Sequence, residues 1–299
     1  MRPRGAGVRI SVVSQYPHWR GRKSFHFGQR HGLPRFAVVG SPRSANTWLR
    51  RLLCELFDLE DRAIFTPEAL DWDRLPERAA VQIHWPRERA FTQLLHGHGF
   101  KVCVVMRHPL DTLVSILQLA AHNPDTARWL GGAFGSERTI IGADPCSQAF
   151  VNYANSPRAR SLIDISSQWW DRHATRIRFD DLVCDPALVL GRIARRSGVA
   201  PVISTDETMR RLPFSRMQDE SSKHFWQGQS GLWRRLLPAS YAEAVATPYR
   251  RHARRHGYYL TPDSGLTVEM AMHEWRILTC SDQAVKGAQY SVHTKRPLP

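Results

Sequence analysis

Short apolar runs, each followed by a stretch of helical spacing, set the organisation of this chain. Phe36-Ala37-Val38-Val39 ends on Gly40 and Pro42, the pattern of a buried strand entering a turn. A helix is predicted next, because Trp48, Leu49, Leu52, Leu53, Leu56 and Phe57 share one face while Arg50, Arg51 and Glu55 lie off it. Ala80 to His84, stopped by Pro86, reads as a second strand and Lys101 to Met106 as a third. Pro109 and Asp111 open a helix through Leu113, Ile116, Leu117 and Leu119, with Asp111 placed where a carboxylate favours the helix dipole. Residues 122–160 read as a long, partly irregular insertion punctuated by Pro124, Gly131-Gly132, Pro145 and Pro157. A helix ends at Trp169-Trp170, and Thr175 to Phe179 is a fourth strand. Pro186 starts a helix through Leu188, Leu190 and Ile193, and a last helix is predicted over about Ala239 to His256.

This alternation predicts an α/β protein, a three-layer α/β/α arrangement around a central parallel sheet. In such sheets ligands sit at the carboxyl ends of the strands. Residues 1–34 read as a flexible basic arm, 35–260 as one domain, and 261–299 as a loose tail with one short amphipathic stretch.

Composition narrows the picture. With 42% apolar residues in 299, the chain can build a core, which excludes wholesale disorder. No apolar run approaches the roughly 20 residues of a spanning helix, so no membrane span is expected. Five cysteines without close spacing read as reduced thiols of a cytoplasmic protein, neither a disulfide frame nor a zinc site. The balance of 42 Lys+Arg against 27 Asp+Glu gives a formal charge of +15, and only five of the basic residues are lysines. Arginine suits bidentate capture of anions. These arginines are spread along the whole chain, however, so a solvated basic surface explains them as well as an anionic ligand does. A nucleic-acid binder would interleave aromatics with a basic run; Trp48, Trp85, Trp169, Trp170 and Trp233 lie instead in fold segments. No nucleic-acid partner is expected.

Two strand ends carry candidate chemistry. After the first strand the chain reads G-S-P-R-S-A-N-T-W, Gly40 to Trp48. Against the Walker spacing G-x-x-x-x-G-K-[ST], Gly40 fits the first glycine, and Ala45, Asn46 and Thr47 fall where Gly-Lys-Thr would lie. Backbone N–H groups from Ser44 to Trp48 at a helix N-terminus suit an anion, giving a P-loop-like nucleotide-binding architecture. The lysine of a nucleoside triphosphatase is missing and Arg43 stands earlier in the turn, which argues against a kinase or NTPase. At the third strand end, Arg107 and Ser115 offer a guanidinium and a hydroxyl for a second phosphate. An Arg107–Asp111 pair, or a Ser115 facing a neighbouring helix, explains them equally well in isolation.

In combination these segments resemble the sulfotransferases that use 3′-phosphoadenosine 5′-phosphosulfate (PAPS). Gly40 to Leu49 is similar to that family's 5′-phosphosulfate loop, usually P-[KR]-S-G-T-T-W-L, and Arg107 and Ser115 match its 3′-phosphate pair in type and spacing. Ile83-His84-Trp85-Pro86 resembles its H-x-P segment, whose histidine is the base. Arg178-Phe179-Asp180-Asp181-Leu182 resembles its Y-E-D-L strand, where an aromatic ring contacts adenine, and Gly228 to Trp233 its late G-x-x-G-x-W loop.

The resemblance implies sulfuryl transfer to a small-molecule, glycan or natural-product acceptor, with PAPS as co-substrate and no metal. It implies His84 as general base and Arg43 as the cation over the leaving group. Pro42, Arg43, Ser44, Ala45, Asn46, Thr47, Trp48, Arg107, Ser115, Phe179, Gln227 and Gly228 are the implied nucleotide contacts. Acceptor loops are expected within residues 60–80, 122–165 and 205–225, where Trp129, Phe134, Phe150 and Tyr153 would suit an aromatic acceptor. The chain departs from the pattern at Ala45 and Asn46, at Gln82 where many members have lysine, at Phe179 for tyrosine, and at Trp226-Gln227 for Arg-Lys. Lys223 is placed to compensate for that last change. A related protein that binds nucleotide without turnover stays open.

Overall fold

The computed structural model describes residues 34–122, 136–220 and 225–279. The N-terminal arm up to residue 33, Trp129, Phe134, Lys223 and residues 280–299 lie outside the described residues.

Five parallel strands form one sheet in the order β2-β3-β1-β4-β5: β1 (Arg35–Gly40), β2 (Glu60–Ala63), β3 (Ala79–Ile83), β4 (Lys101–Met106) and β5 (Thr175–Arg178). Four of these follow the predicted strands to within a residue or so at each end. β2 was not predicted. Its sequence, Glu-Asp-Arg-Ala, has no apolar alternation because three of its four residues are exposed at the sheet edge. Edge strands are commonly short and charged, which discourages pairing with another chain.

Side chains alternate across the sheet and fill two cores, one on each face. On β1, Ala37 and Val39 enter one core and Phe36 and Val38 the other. The first core is covered by α3 (Pro109–His122) and the helix Pro157–Trp169, together with α2 (Arg89–Gly97). The second is covered by α1 (Asn46–Phe57) and the helix Pro186–Ser197. The apolar face predicted for α1 is fully packed, and Phe57 stacks on Phe36 with ring centroids 4.9 Å apart. The three-layer architecture follows.

The structure refines these expectations in several places. The single helix over Ala239 to His256 is broken into Ala239–Ala246, a 3-10 turn Thr247–Tyr249 and Arg250–Arg255. Pro248 supplies no N–H and clashes with the preceding turn, so it interrupts the helix. Phe150 and Tyr153, offered as acceptor contacts, are buried in the first core, where the Tyr153 hydroxyl donates to Glu137. Trp72 and Leu75, in the expected 60–80 acceptor loop, are core residues too. Past Pro262, the amphipathic stretch is a helix, 268–279, that buries Ala271, Trp275 and Leu278 and sets Trp275 edge-on to Trp226. Among the described residues no helix is long and apolar enough to cross a membrane.

The strand order fixes where a ligand can bind. From β1 the chain crosses to β2 and β3 on one side, whereas from β4 it continues to β5 on the other. The carboxyl ends of β1 and β4 therefore flank the switch point, where the outgoing connections part and leave a crevice.

Candidate active site

Beyond Gly40 the loop is anchored from both sides. A Cβ at Gly40 would lie 2.9 Å from Asn46 Oδ1 and 3.1 Å from both Ser166 Oγ and the Val105 carbonyl, so only glycine lets β1 approach this closely. Ser41 N–H donates to Ser166 Oγ (2.7 Å), and the Ser166 hydroxyl donates on to the Val105 carbonyl (2.6 Å). Between these anchors Arg43 and Ala45 hold φ angles of 61° and 66°, a left-handed backbone that residues with a Cβ rarely adopt. Strain of this kind costs about 1–3 kcal/mol per residue and persists only when the surroundings enforce it. It turns the chain so that the free N–H groups of the twelve-residue helix α1 begin right at the loop.

Asn46, where a Walker lysine would stand, donates from Nδ2 to the Ser41 carbonyl (2.8 Å). Its amide braces the loop. Its Oδ1 and the Ser44 hydroxyl are buried without a hydrogen-bond partner.

The end of β4 reaches into the same region. Arg107 is buried, its guanidinium lies 4.1 Å over the Phe179 ring, and it donates to the carbonyls of Arg43 (2.8 Å) and Gln229 (3.0 Å). Its Nε–H has no partner. Asp111 does not hydrogen-bond Arg107; its carboxylate accepts from the N–H groups of Gly231 (2.7 Å) and Trp233 (3.0 Å), docking the late loop on the β4–α3 turn. Ser115 faces the cavity, where it accepts from Arg43 Nε at 3.0 Å. Burial first, and the Arg107 charge second, disfavour the charged form of Arg43. Two guanidinium groups sharing one site is an arrangement that a bound anion would relieve.

His84 leaves the end of β3, half-buried. Its Nδ1 lies 2.8 Å from the Gly40 carbonyl, which only accepts, so Nδ1 carries the proton and Nε2 the lone pair. Burial pushes the imidazole down to about 4; the Gly40 hydrogen bond opposes this and the Arg50 charge adds to it. The ring is neutral at pH 7.

One cleft gathers these groups: Arg43, Ala45, Asn46, Thr47, His84, Arg107, Ser115, Phe179, Gln227 and Gly228 all line it. Pro42, Ser44 and Trp48 do not line it. Pro42 and Ser44 are buried within the loop, and Trp48 packs edge-on against Phe214 at 5.2 Å with its indole N–H bonded to the Leu212 carbonyl.

Four further lining residues were not among the implied contacts: Gln82, Phe214, Phe225 and Trp226. Phe225 and Trp226 were legible as aromatics directly preceding the late loop. Phe214 has no local signal, since its placement depends on Gly228: a Cβ there would fall 2.4 Å from the Phe214 ring, and the φ of 63° also requires glycine.

No protein-family model matches the sequence, and no curated protein matches it. Among solved structures, the chain is similar to mouse sulfotransferase SULT7A1 complexed with PAP, with a TM-score of 0.53 and 16% identity over 74% of this chain and 84% of that one. The fold is that of a sulfotransferase. Retinol dehydratase, in complexes with androsterone and the inactive cofactor PAP and with retinol and PAP, aligns with TM-scores of 0.45 and 0.43. Those two alignments have 13% and 14% identity, and each covers 76% of this chain and 83% of the other. On this sulfotransferase fold, the cleft sits at the carboxyl ends of β1, β3 and β4.

Proposed function

We propose that the chain is a PAPS-dependent sulfotransferase in which His84 is the general base and Arg43, Arg107 and Ser115 bind the donor. The observation that carries this reading is the convergence of two guanidinium groups, a hydroxyl and a neutral imidazole on one cleft. PAPS, when bound, supplies a sulfuryl group activated by a phosphate leaving group. The residues present suit such a donor: the cleft joins a helix N-terminus and two cations to a buried Arg107 Nε–H that lacks an acceptor.

The loop from Arg43 to Thr47 and the first turn of α1 hold the 5′ side by charge and N–H donors. Arg107 and Ser115 hold the 3′-phosphate, with Arg107 kept in place by the Arg43 and Gln229 carbonyls. Phe179, Phe214, Phe225 and Trp226 offer rings against which a base can stack. His84 receives the proton of an acceptor hydroxyl or amine at Nε2 while Nδ1–H stays on the Gly40 carbonyl. Arg43 neutralises negative charge developing on the leaving phosphate. Asn46 at the Walker lysine position leaves a kinase or NTPase reading without its phosphate cation.

Incubation with PAPS and a panel of phenols, aliphatic alcohols, amines and glycans, read by mass spectrometry, is expected to yield a sulfated product together with PAP. PAPS that stays intact with every acceptor class, although PAP binds, points to the variant of this fold that has lost turnover.

A further inference from the structure

His84 is approached from its other side by a chain of polar groups that begins at the sheet edge. Gln82 and His84 are two residues apart on the same side of the β3 strand end, and both line the cleft. Gln82 Nε2 lies 3.5 Å from His84 Nε2. Gln82 Oε1 accepts from Arg50 Nη1 at 2.9 Å. Arg50, nearly buried on α1, is in turn ion-paired with Asp61 of the edge strand β2.

Each group in this chain has a fixed sense. A carboxylate only accepts, a guanidinium only donates, and an amide has one acceptor end and one donor end. Asp61 therefore orients Arg50, Arg50 takes the oxygen of Gln82, and Gln82 is left with its N–H directed at the imidazole. That donor requires a lone pair on Nε2, and the Gly40 carbonyl requires a proton on Nδ1. Both sides of the ring specify the same tautomer. An imidazolium would set N–H against N–H.

We propose that Gln82 is a positioning residue for His84, oriented by the Asp61–Arg50 pair, and that together with the Gly40 carbonyl it holds the Nδ1–H tautomer with the lone pair on Nε2 facing the cleft. This explains why a charged edge strand and a buried arginine are built beside the sheet end. A 3.5 Å contact is weak enough to give way when an acceptor hydroxyl offers its proton to Nε2. The catalytic consequence rests on the role of His84 as base; the tautomer does not.

Long-range ¹H–¹⁵N NMR of the histidine side chains in the full chain reads the tautomer directly. The spectrum of His84→Ala identifies the His84 signals among the fourteen histidines. The wild type is expected to show Nδ1–H, with Gln82→Leu and Asp61→Asn each moving His84 toward a mixture. Asp61 lies at the exposed end of the chain, so Asp61→Asn tests the relay even if Gln82→Leu disturbs folding. Gln82→Glu puts an acceptor opposite Nε2, and the His84 titration should move upward from about 4. In transfer assays Gln82→Leu should lower kcat about 10-fold while KM for PAPS changes about twofold or less. An unchanged tautomer and titration in these variants overturns the proposal, including when wild-type transfer is intact, in which case the sulfotransferase reading survives. A tautomer that responds as expected in a chain that transfers no sulfuryl group upholds the positioning role and sinks the sulfotransferase reading.

Discussion

Replacing His84 with alanine is expected to lower kcat by about 10²–10⁴-fold, the usual contribution of a general base, while the Kd for PAP stays within about twofold. The two effects separate because the His84 ring lies at the end of β3, whereas Arg107 and Ser115 come from β4 and α3. A parallel loss of binding and turnover would make the ring a structural part of the loop, acting through its bond to the Gly40 carbonyl. The pH profile adds a signed test. A base works when deprotonated, and burial holds free His84 near 4 instead of its ordinary value near 6.5. The kcat/KM profile, which reports the free enzyme, should therefore stay flat from neutrality down toward about 4 and fall below it. The kcat profile, which reports the loaded enzyme, should fall at higher pH, because a nearby anion stabilises the imidazolium.

Arg107→Ala should weaken PAP by about 2–3 kcal/mol, roughly 30- to 150-fold, while AMP, which lacks the 3′-phosphate, weakens far less. Calorimetric titration of both nucleotides into both proteins measures the difference. The comparison matters because Arg107 also ties the Arg43 and Gln229 carbonyls together. A loop that merely came loose would lose PAP and AMP alike, and the ratio of their affinities would not change.

Much of this arrangement was legible from spacing. Arg43, His84 and Arg107 each follow an apolar strand by a few residues, Gly40 closes β1 and Ser115 comes within the helix after β4, and a parallel sheet carries all such strand ends to one edge. What spacing missed has a common cause, which is that it depends on contacts distant in sequence. β2 is polar because it lies at the edge, and its Asp61 acquires meaning only beside Arg50. Arg50 looked like a residue off the apolar face of α1, yet it is buried because that side of the helix packs near β2 and β3. Phe214 reaches the cleft only because Gly228 has no side chain. Phe150 and Tyr153 illustrate the converse: aromatic residues in an irregular stretch suggested an open pocket, but they close the core.

Titration of the wild-type chain by calorimetry, with PAP in the absence of metal and with ATP in the presence of magnesium, tests whether the cleft is built for a nucleotide with a 3′-phosphate. Clear binding of PAP, unaffected by chelator, is expected, with much weaker binding of ATP with magnesium. Preference for ATP with magnesium, or no binding of PAP, would contradict that reading.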